Sequence, residues 1–218
     1  MTAKAQAKKH NEAGLAFYNN WKMEDAIASF SDAVAADSSD PEYCLNLVRA
    51  YARNGDFDQA MEALGPYLQV ETEEEIASRF EQLFSTGLDA VETVLIEKAN
   101  NNEMGVSMQH VGKAIQMWLE YRITLGRRPF RIPKPELWAA ALFYAIAKIN
   151  FVDVKRVDIA ATFSIKERLL TEKYNELLET LDIMPSDYRY FVGEKNPLDK
   201  LIEAAQLLED LEQEFRED

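Results

Sequence analysis

Residues 10–34, HNEAGLAFYNNWKMEDAIASFSDAV, and residues 44–68, CLNLVRAYARNGDFDQAMEALGPYL, superpose with a shift of 34. The shift lays Phe17 on Tyr51, Ala26 on Ala60, Phe30 on Leu64, Ala13 on Leu47 and His10 on Cys44. A period of this length marks a supersecondary unit that buries its apolar face on the next copy, so it takes precedence over single elements. Ala26 and Ala60 stand where the two helices of one hairpin cross closely, and a larger side chain would force them apart. Phe17, Phe30, Tyr51 and Leu64 fill the gaps between hairpins. In the second copy the turn NGDFDQA is explicit: Gly55 ends one helix and Asp56 starts the next.

An aromatic, a small alanine and a large apolar residue at these spacings resemble the tetratricopeptide (TPR) repeat. The resemblance implies an all-α fold that opens with a short TPR superhelix over residues 1–103, with clear copies at 7–40 and 41–74. About three repeats are needed to bury a continuous core. Residues 72–103 are expected to supply the third layer, as a degenerate repeat or capping pair. Thr72 and Glu75 have capping-box spacing, and Ile76, Phe80, Leu83, Phe84, Leu88, Val91, Val94 and Leu95 keep helical spacing around Gly87. A second shift of 34 brings Ser85 and Val94 onto Tyr51 and Ala60, so the pattern has decayed.

TPR arrays take up peptides or protein elements in the groove lined by their first helices. The resemblance places Asn11, Leu15, Tyr18, Asn19, Leu45, Arg49 and Arg53 on that groove as partner-binding residues. Leu15 and Leu45 stand where the carboxylate-clamping TPR class needs polar groups, so that function is not implied. The competing reading packs these residues on the next helix of the same chain.

The middle of the chain, 104–192, has a different pattern. Val106, Val111, Ile115, Trp118 and Tyr121 predict an amphipathic helix ending near Gly126. A basic loop with Arg127, Arg128, Arg131 and Lys134 follows, and Pro135 with Glu136 reads as a helix start. The helix PELWAAALFYAIAKIN is apolar almost all round, so it must be enclosed as the centre of a bundle. Two further helices are predicted at about 155–162 and 166–181, with a turn at Ser164 and Ile165. Ile159, Ala160, Phe163, Leu170, Tyr174 and Leu177 have the core spacing of a helix-turn-helix.

Lys134, Pro135, Glu136, Trp138, Ala139, Ala140, Asn150, Phe151, Ile159, Ala160 and Phe163 resemble the motifs of a bacterial domain of unknown function. More distantly, residues 122–191 are similar to a cyclin-box repeat of the transcription factor IIB type. The resemblance implies a helix-turn-helix-like bundle and no catalysis. The last segment, 193–218, carries the stripe Leu198, Leu201, Ile202, Ala205, Leu208, Leu211 and Phe215, which predicts a closing amphipathic helix. It is expected to pack on the bundle or the repeats, with a dimer seam as the alternative, leaving the chain a monomer or a homodimer.

The formal net charge of -14 is uneven. It is -11 over residues 1–103, +3 over 113–192 and -6 over 193–218. A contact surface for nucleic acid or an acidic partner would use Arg127, Arg128, Arg131, Lys155, Arg156 and Lys166. The second helix of the helix-turn-helix pattern offers Lys166 and Arg168 but also Glu167, Leu169 and Glu172, a poor edge for reading bases. The whole-chain charge also repels a polyanion. Pairing of the basic loop with the acidic flanks, or with an acidic protein, is the favoured expectation.

No Walker, HExxH, GxSxG or GxGxxG pattern appears, and His10 and His110 are far apart. The single Cys44 excludes an internal disulfide and a thiolate zinc site. No cofactor, metal or catalytic residue is therefore assigned. No run is long enough to span a bilayer and no secretory leader is seen, so a cytoplasmic setting is expected. The sequence reads as a non-enzymatic adaptor or regulator that binds an unidentified protein or peptide. The alternatives are a transcription-related regulator that binds nucleic acid and, last, a hydrolase built from surface acids.

Overall fold

The computed structural model describes residues 2–84, 88–100 and 106–193. Among these residues are ten α-helices and no β-strand. They are α1 (Ala3–Asn19), α2 (Met23–Ala36), α3 (Pro41–Asn54), α4 (Phe57–Val70), α5 (Glu74–Glu81), α6 (Ala90–Asn100), α7 (Met108–Leu125), α8 (Pro135–Ile149), α9 (Arg156–Thr162) and α10 (Glu167–Leu181). The chain divides into two compact units. The first is Met1–Leu88 with Leu119–Arg131, and the second is Asp89–Trp118 with Ile132–Asp218. This differs from the division expected at residue 103, and α7 contributes to both units.

In the first unit α1 packs on α2, α2 on α3 and α3 on α4. Asp40 caps α3 by accepting from the Glu42 N–H, with Pro41 as first helical residue. Gly55 ends the helix in the left-handed region at φ 90°. Ala26 and Ala60 are fully buried, as the hairpin crossings require. Gly14 lets α1 close on α2: a Cβ there would lie 2.6 Å from Phe30 Cδ1 and Cε1. The second hairpin solves the same contact with Val48 and Leu64, each 34 residues further on and both fully buried. One copy pairs nothing with a ring, and the other pairs two medium side chains.

The third layer is not the expected hairpin. Ile76 and Phe80 of α5 join the core formed by Cys44, Leu45, Val48, Leu64 and Tyr67, and so does Ile123 from the end of α7. The Phe80 ring meets Tyr67 edge-on, with centroids 5.0 Å apart. The other half of the expected pair, α6, packs instead against α8. Thr72 and Glu75 do not form a capping box. Glu71 accepts from the Thr72 and Glu73 N–H groups, and Glu73 is the N-cap of α5. The capping box lies at α6, where Asp89 Oδ1 accepts from the Val91 and Glu92 N–H groups and Glu92 accepts from the Asp89 N–H.

In the second unit α8 is enclosed, with every residue from Trp138 to Ala147 buried. Elements α6, α9 and α10 pack on it. Trp138 lies 5.4 Å from Trp118, whose Nε1 donates to Asp89 Oδ2. Helices α9 and α10 meet at the expected turn, with Ser164 in the left-handed region, over buried Ile159, Ala160, Phe163, Leu170 and Leu177. After α10 the chain is pinned: Asn150 donates to the Tyr190 carbonyl and accepts from the Val192 N–H. The expected closing helix at 193–218 lies outside the described residues from 194 onward.

Candidate partner-binding site

All seven residues expected on the groove come from the helices that open the two hairpins, α1 and α3, and the structure links most of them. Asn46 donates to Asn11 at 3.0 Å, and Arg49 donates to Asn46 at 3.2 Å. The Arg49 guanidinium lies 5.6 Å from the centre of the Tyr18 ring. Arg53 lies 4.6 Å from the same ring and 4.0 Å from that of Trp21. Cations over aromatic faces at this range are attracted by the ring quadrupole. The result is a polar ladder, Asn11, Asn46, Arg49, Tyr18 and Arg53, between two helices whose other buried residues are small or apolar.

Four of these side chains belong to buried residues, and Arg49 is half-buried. The Tyr18 hydroxyl and Arg49 Nε are buried with no hydrogen-bond partner among the described residues. Unmatched buried donors are costly, by about 1–3 kcal/mol each. Both groups can donate, so the chemistry they favour is an oxygen acceptor. Asn46 and Trp21 belong to the site and were not among the expected residues. The 34-residue shift does not find Asn46, because it lays Asn46 on the exposed Glu12 and lays Asn11 on Leu45.

The remaining expected residues fall differently. Asn19 is exposed and Leu15 is half-buried. Leu45 serves the chain's own core, because it packs with Ile123 and its Cδ2 lies 3.5 Å from where a Cβ on Gly126 would stand. That end of the groove face is filled by the chain itself, so Leu45 is not offered to a partner.

The basic loop is tied to the same unit. Arg127 forms a fork on Glu71, Nε to Oε2 at 3.0 Å and Nη2 to Oε1 at 3.1 Å, and Nη2 also reaches Glu73 at 2.8 Å. The Glu71 side chain is fully buried. Burial pushes its pKa up, but the Glu73 N–H, the Tyr67 hydroxyl at 2.7 Å, the Arg127 charge and the Thr72 N–H outweigh it. The carboxyl is held below its ordinary range. Arg79 donates to the carbonyls of Gly126 and Arg128, closing the end of α7. Arg127 is therefore committed to its own acidic flank.

Arg128 and Arg131 are exposed in the first unit, whereas Lys155, Arg156 and Lys166 are exposed in the second. Arg156 lies 3.9 Å from Glu167 and donates to Thr171. The six expected cations are thus divided between units, and at least two face carboxylates. Among the described residues no group of three or more His, Cys, Asp or Glu could hold a metal ion. No helix among them is long and apolar enough to cross a membrane.

Residues 22–78 match the family model of the tetratricopeptide repeat. The match covers α2 to α4 and reaches into α5. No curated protein and no solved structure matches the chain.

Proposed function

We propose that this protein is a non-enzymatic adaptor or regulator that docks a protein segment against the α1 and α3 ladder. The TPR match supports protein binding as the general mode of action. The carrying observation is the pair of buried donors, Tyr18 hydroxyl and Arg49 Nε, without partners among the described residues. A segment presenting a carboxylate or a backbone carbonyl would supply the missing acceptors. The second unit is read as a cyclin-box-like bundle that packs on protein, since Lys166 stands beside Glu167 at the start of α10. A single buried thiol suits a reducing, cytoplasmic setting.

The reading is tested by selecting peptides from a random display library on the full chain and titrating the winners. Asp- or Glu-containing peptides are expected, with affinity reduced at least about tenfold by Arg49→Glu, the cost of removing a charge-assisted hydrogen bond. Selected peptides that ignore Arg49→Glu would overturn the site. DNA binding that persists near physiological salt, and is lost on combined Arg127→Ala, Arg128→Ala and Arg131→Ala, would overturn the adaptor reading in favour of a nucleic-acid regulator.

A further inference from the structure

The second unit carries a groove that the function above does not use. It is bounded by the C-terminal ends of α8 and α10 and by the loop 183–186, and its volume is about 280 Å³. Ile149, Leu178, Ile183 and Met184 give it apolar walls, and Phe151, 71% exposed, belongs to the same lining. Sites for small molecules are of this kind, mostly apolar with a few polar groups that fix orientation.

Three polar side chains share the lining, Lys148, Tyr174 and Ser186. Among the described residues none of their polar ends has a hydrogen-bond or ion-pair partner. All three can donate, the lysine as an ammonium and the other two through hydroxyls. The Tyr174 ring is held edge-on against Tyr144, with centroids 4.8 Å apart. Burial first, then Tyr144, pushes its pKa up against the opposing Arg156 charge, so the phenol stays protonated and able to donate. An apolar groove whose polar groups are one cation and two hydroxyls suits a ligand with a single negative charge and an apolar body.

The groove is held in shape by the protein alone. Buried Asp187 and Arg189 pair at 2.8 Å and fasten the loop: Arg189 donates to the Leu181 carbonyl at the end of α10, and Asp187 accepts from the Met184 N–H at 3.4 Å. The Ile183 N–H closes on the Leu178 carbonyl. Two lining residues, Phe151 and Ser186, have φ of 57° and 61°, in the left-handed region where a Cβ is strained. Such strain persists where the surroundings over-determine it, and it gathers at ligand sites. The volume lies just below the range of about 300 Å³ upward in which drug-sized ligands are held, so the apolar body must be small.

We propose that this groove binds a small monocarboxylic acid with an apolar body, its carboxylate at Lys148 and Tyr174 and its body against Ile149, Leu178 and Met184. This goes beyond the docking of a protein segment in the first unit and does not depend on it. The test is a titration of the full chain with octanoate, read by calorimetry and by the methyl signals of Met184 and Ile149 in NMR. Octanol and octylamine are the comparison probes, with a similar body and no charge or the opposite charge. Octanoate is expected to shift both methyl signals saturably and to bind at least about tenfold tighter than either, the contribution of one charge-assisted hydrogen bond.

Two variants locate the head group. Lys148→Met keeps the apolar stem of an exposed side chain and is expected to bring octanoate down to the affinity of octanol. Tyr174→Phe keeps the ring against Tyr144 and is expected to weaken octanoate by about threefold, as loss of one neutral hydrogen bond does. No saturable shift at Met184, equal affinity for the three probes, or octanoate binding that ignores Lys148→Met would overturn the proposal. Met184 shifts that follow protein concentration instead of octanoate would overturn it in favour of a second copy of the chain.

Discussion

The contact between Gly14 and Phe30 offers a transplant experiment, because the molecule contains its own alternative solution. Gly14→Val would place a Cβ 2.6 Å from two atoms of a ring that is 1% exposed and cannot swing into water. Overpacking of this kind costs about 1–3 kcal/mol, offset by roughly 0.3 kcal/mol of gained helix propensity. Phe30→Leu alone leaves a void where the ring was, at about 1–2 kcal/mol. If the two changes were independent, the double variant would lose roughly 2–5 kcal/mol. Together, however, they recreate the Val48 and Leu64 pair of the second hairpin. The double variant is therefore expected to lose no more than about 1 kcal/mol, a favourable coupling of at least about 1 kcal/mol. Hydrogen exchange in increasing urea, read on peptides from residues 3–70, follows this unit without interference from the other. Additivity within about 0.5 kcal/mol would refute the claim that the repeats solve one packing problem by exchanging volume between facing helices.

Two further outcomes follow from the titratable groups. Glu71 has a depressed pKa, so the stability it contributes is present above the ordinary glutamate range and is lost as pH falls through the folded value. Glu71→Gln should destabilise the first unit by about 1–3 kcal/mol at pH 7, and the gap to wild type should narrow toward pH 3, measured by urea unfolding at each pH. A gap that is constant with pH would refute the ionic role of the carboxylate. Cys44 is buried, and burial first, then the nearby Asp40 charge, pushes its thiol up. Its reaction with a disulfide reagent should be slower in the native chain than in urea by on the order of a hundredfold, and faster in Glu71→Gln. Equal rates would show that this core opens freely.

What the sequence revealed depended on whether the cause was local. The enclosure of α8 was legible because a helix with no polar face has only one solution, and the 34-residue shift was legible because packing alanines and aromatics recur in register. Gly55 announced its turn. The fate of residues 72–103 was not legible: Val91 and Leu95 have helical spacing whichever helix they meet, and periodicity does not say that α6 turns to α8 while α5 stays with Tyr67. The capping box was misplaced for a related reason. Thr72 and Glu75 have the spacing, but Glu71 takes the Thr72 and Glu73 N–H groups first, while the equally readable Asp89 and Glu92 pair forms the box.

At the candidate site the sequence named Arg49, Arg53 and Tyr18 but could not see that Tyr18 lies beneath both guanidinium groups. It also could not see that Ile123, some eighty positions away, would cover Leu45. Pairing of the basic loop with an acidic flank was anticipated in kind. Which carboxylate receives Arg127 is set by the turn between α4 and α5, a matter of three-dimensional geometry.

The division of the first unit between residues 1–88 and 119–131 has a consequence for how the protein is made. Its two hairpins emerge from the ribosome well before Ile123 and Arg127, the residues that seal their exposed end. Closing that seal means tethering some thirty intervening residues, and the entropic cost of such a closure grows only slowly with length. The front of the chain must therefore wait, unsealed, while the next unit is being synthesised. A fragment cut after residue 88 would carry the repeat pattern intact and still lack the pieces that finish it.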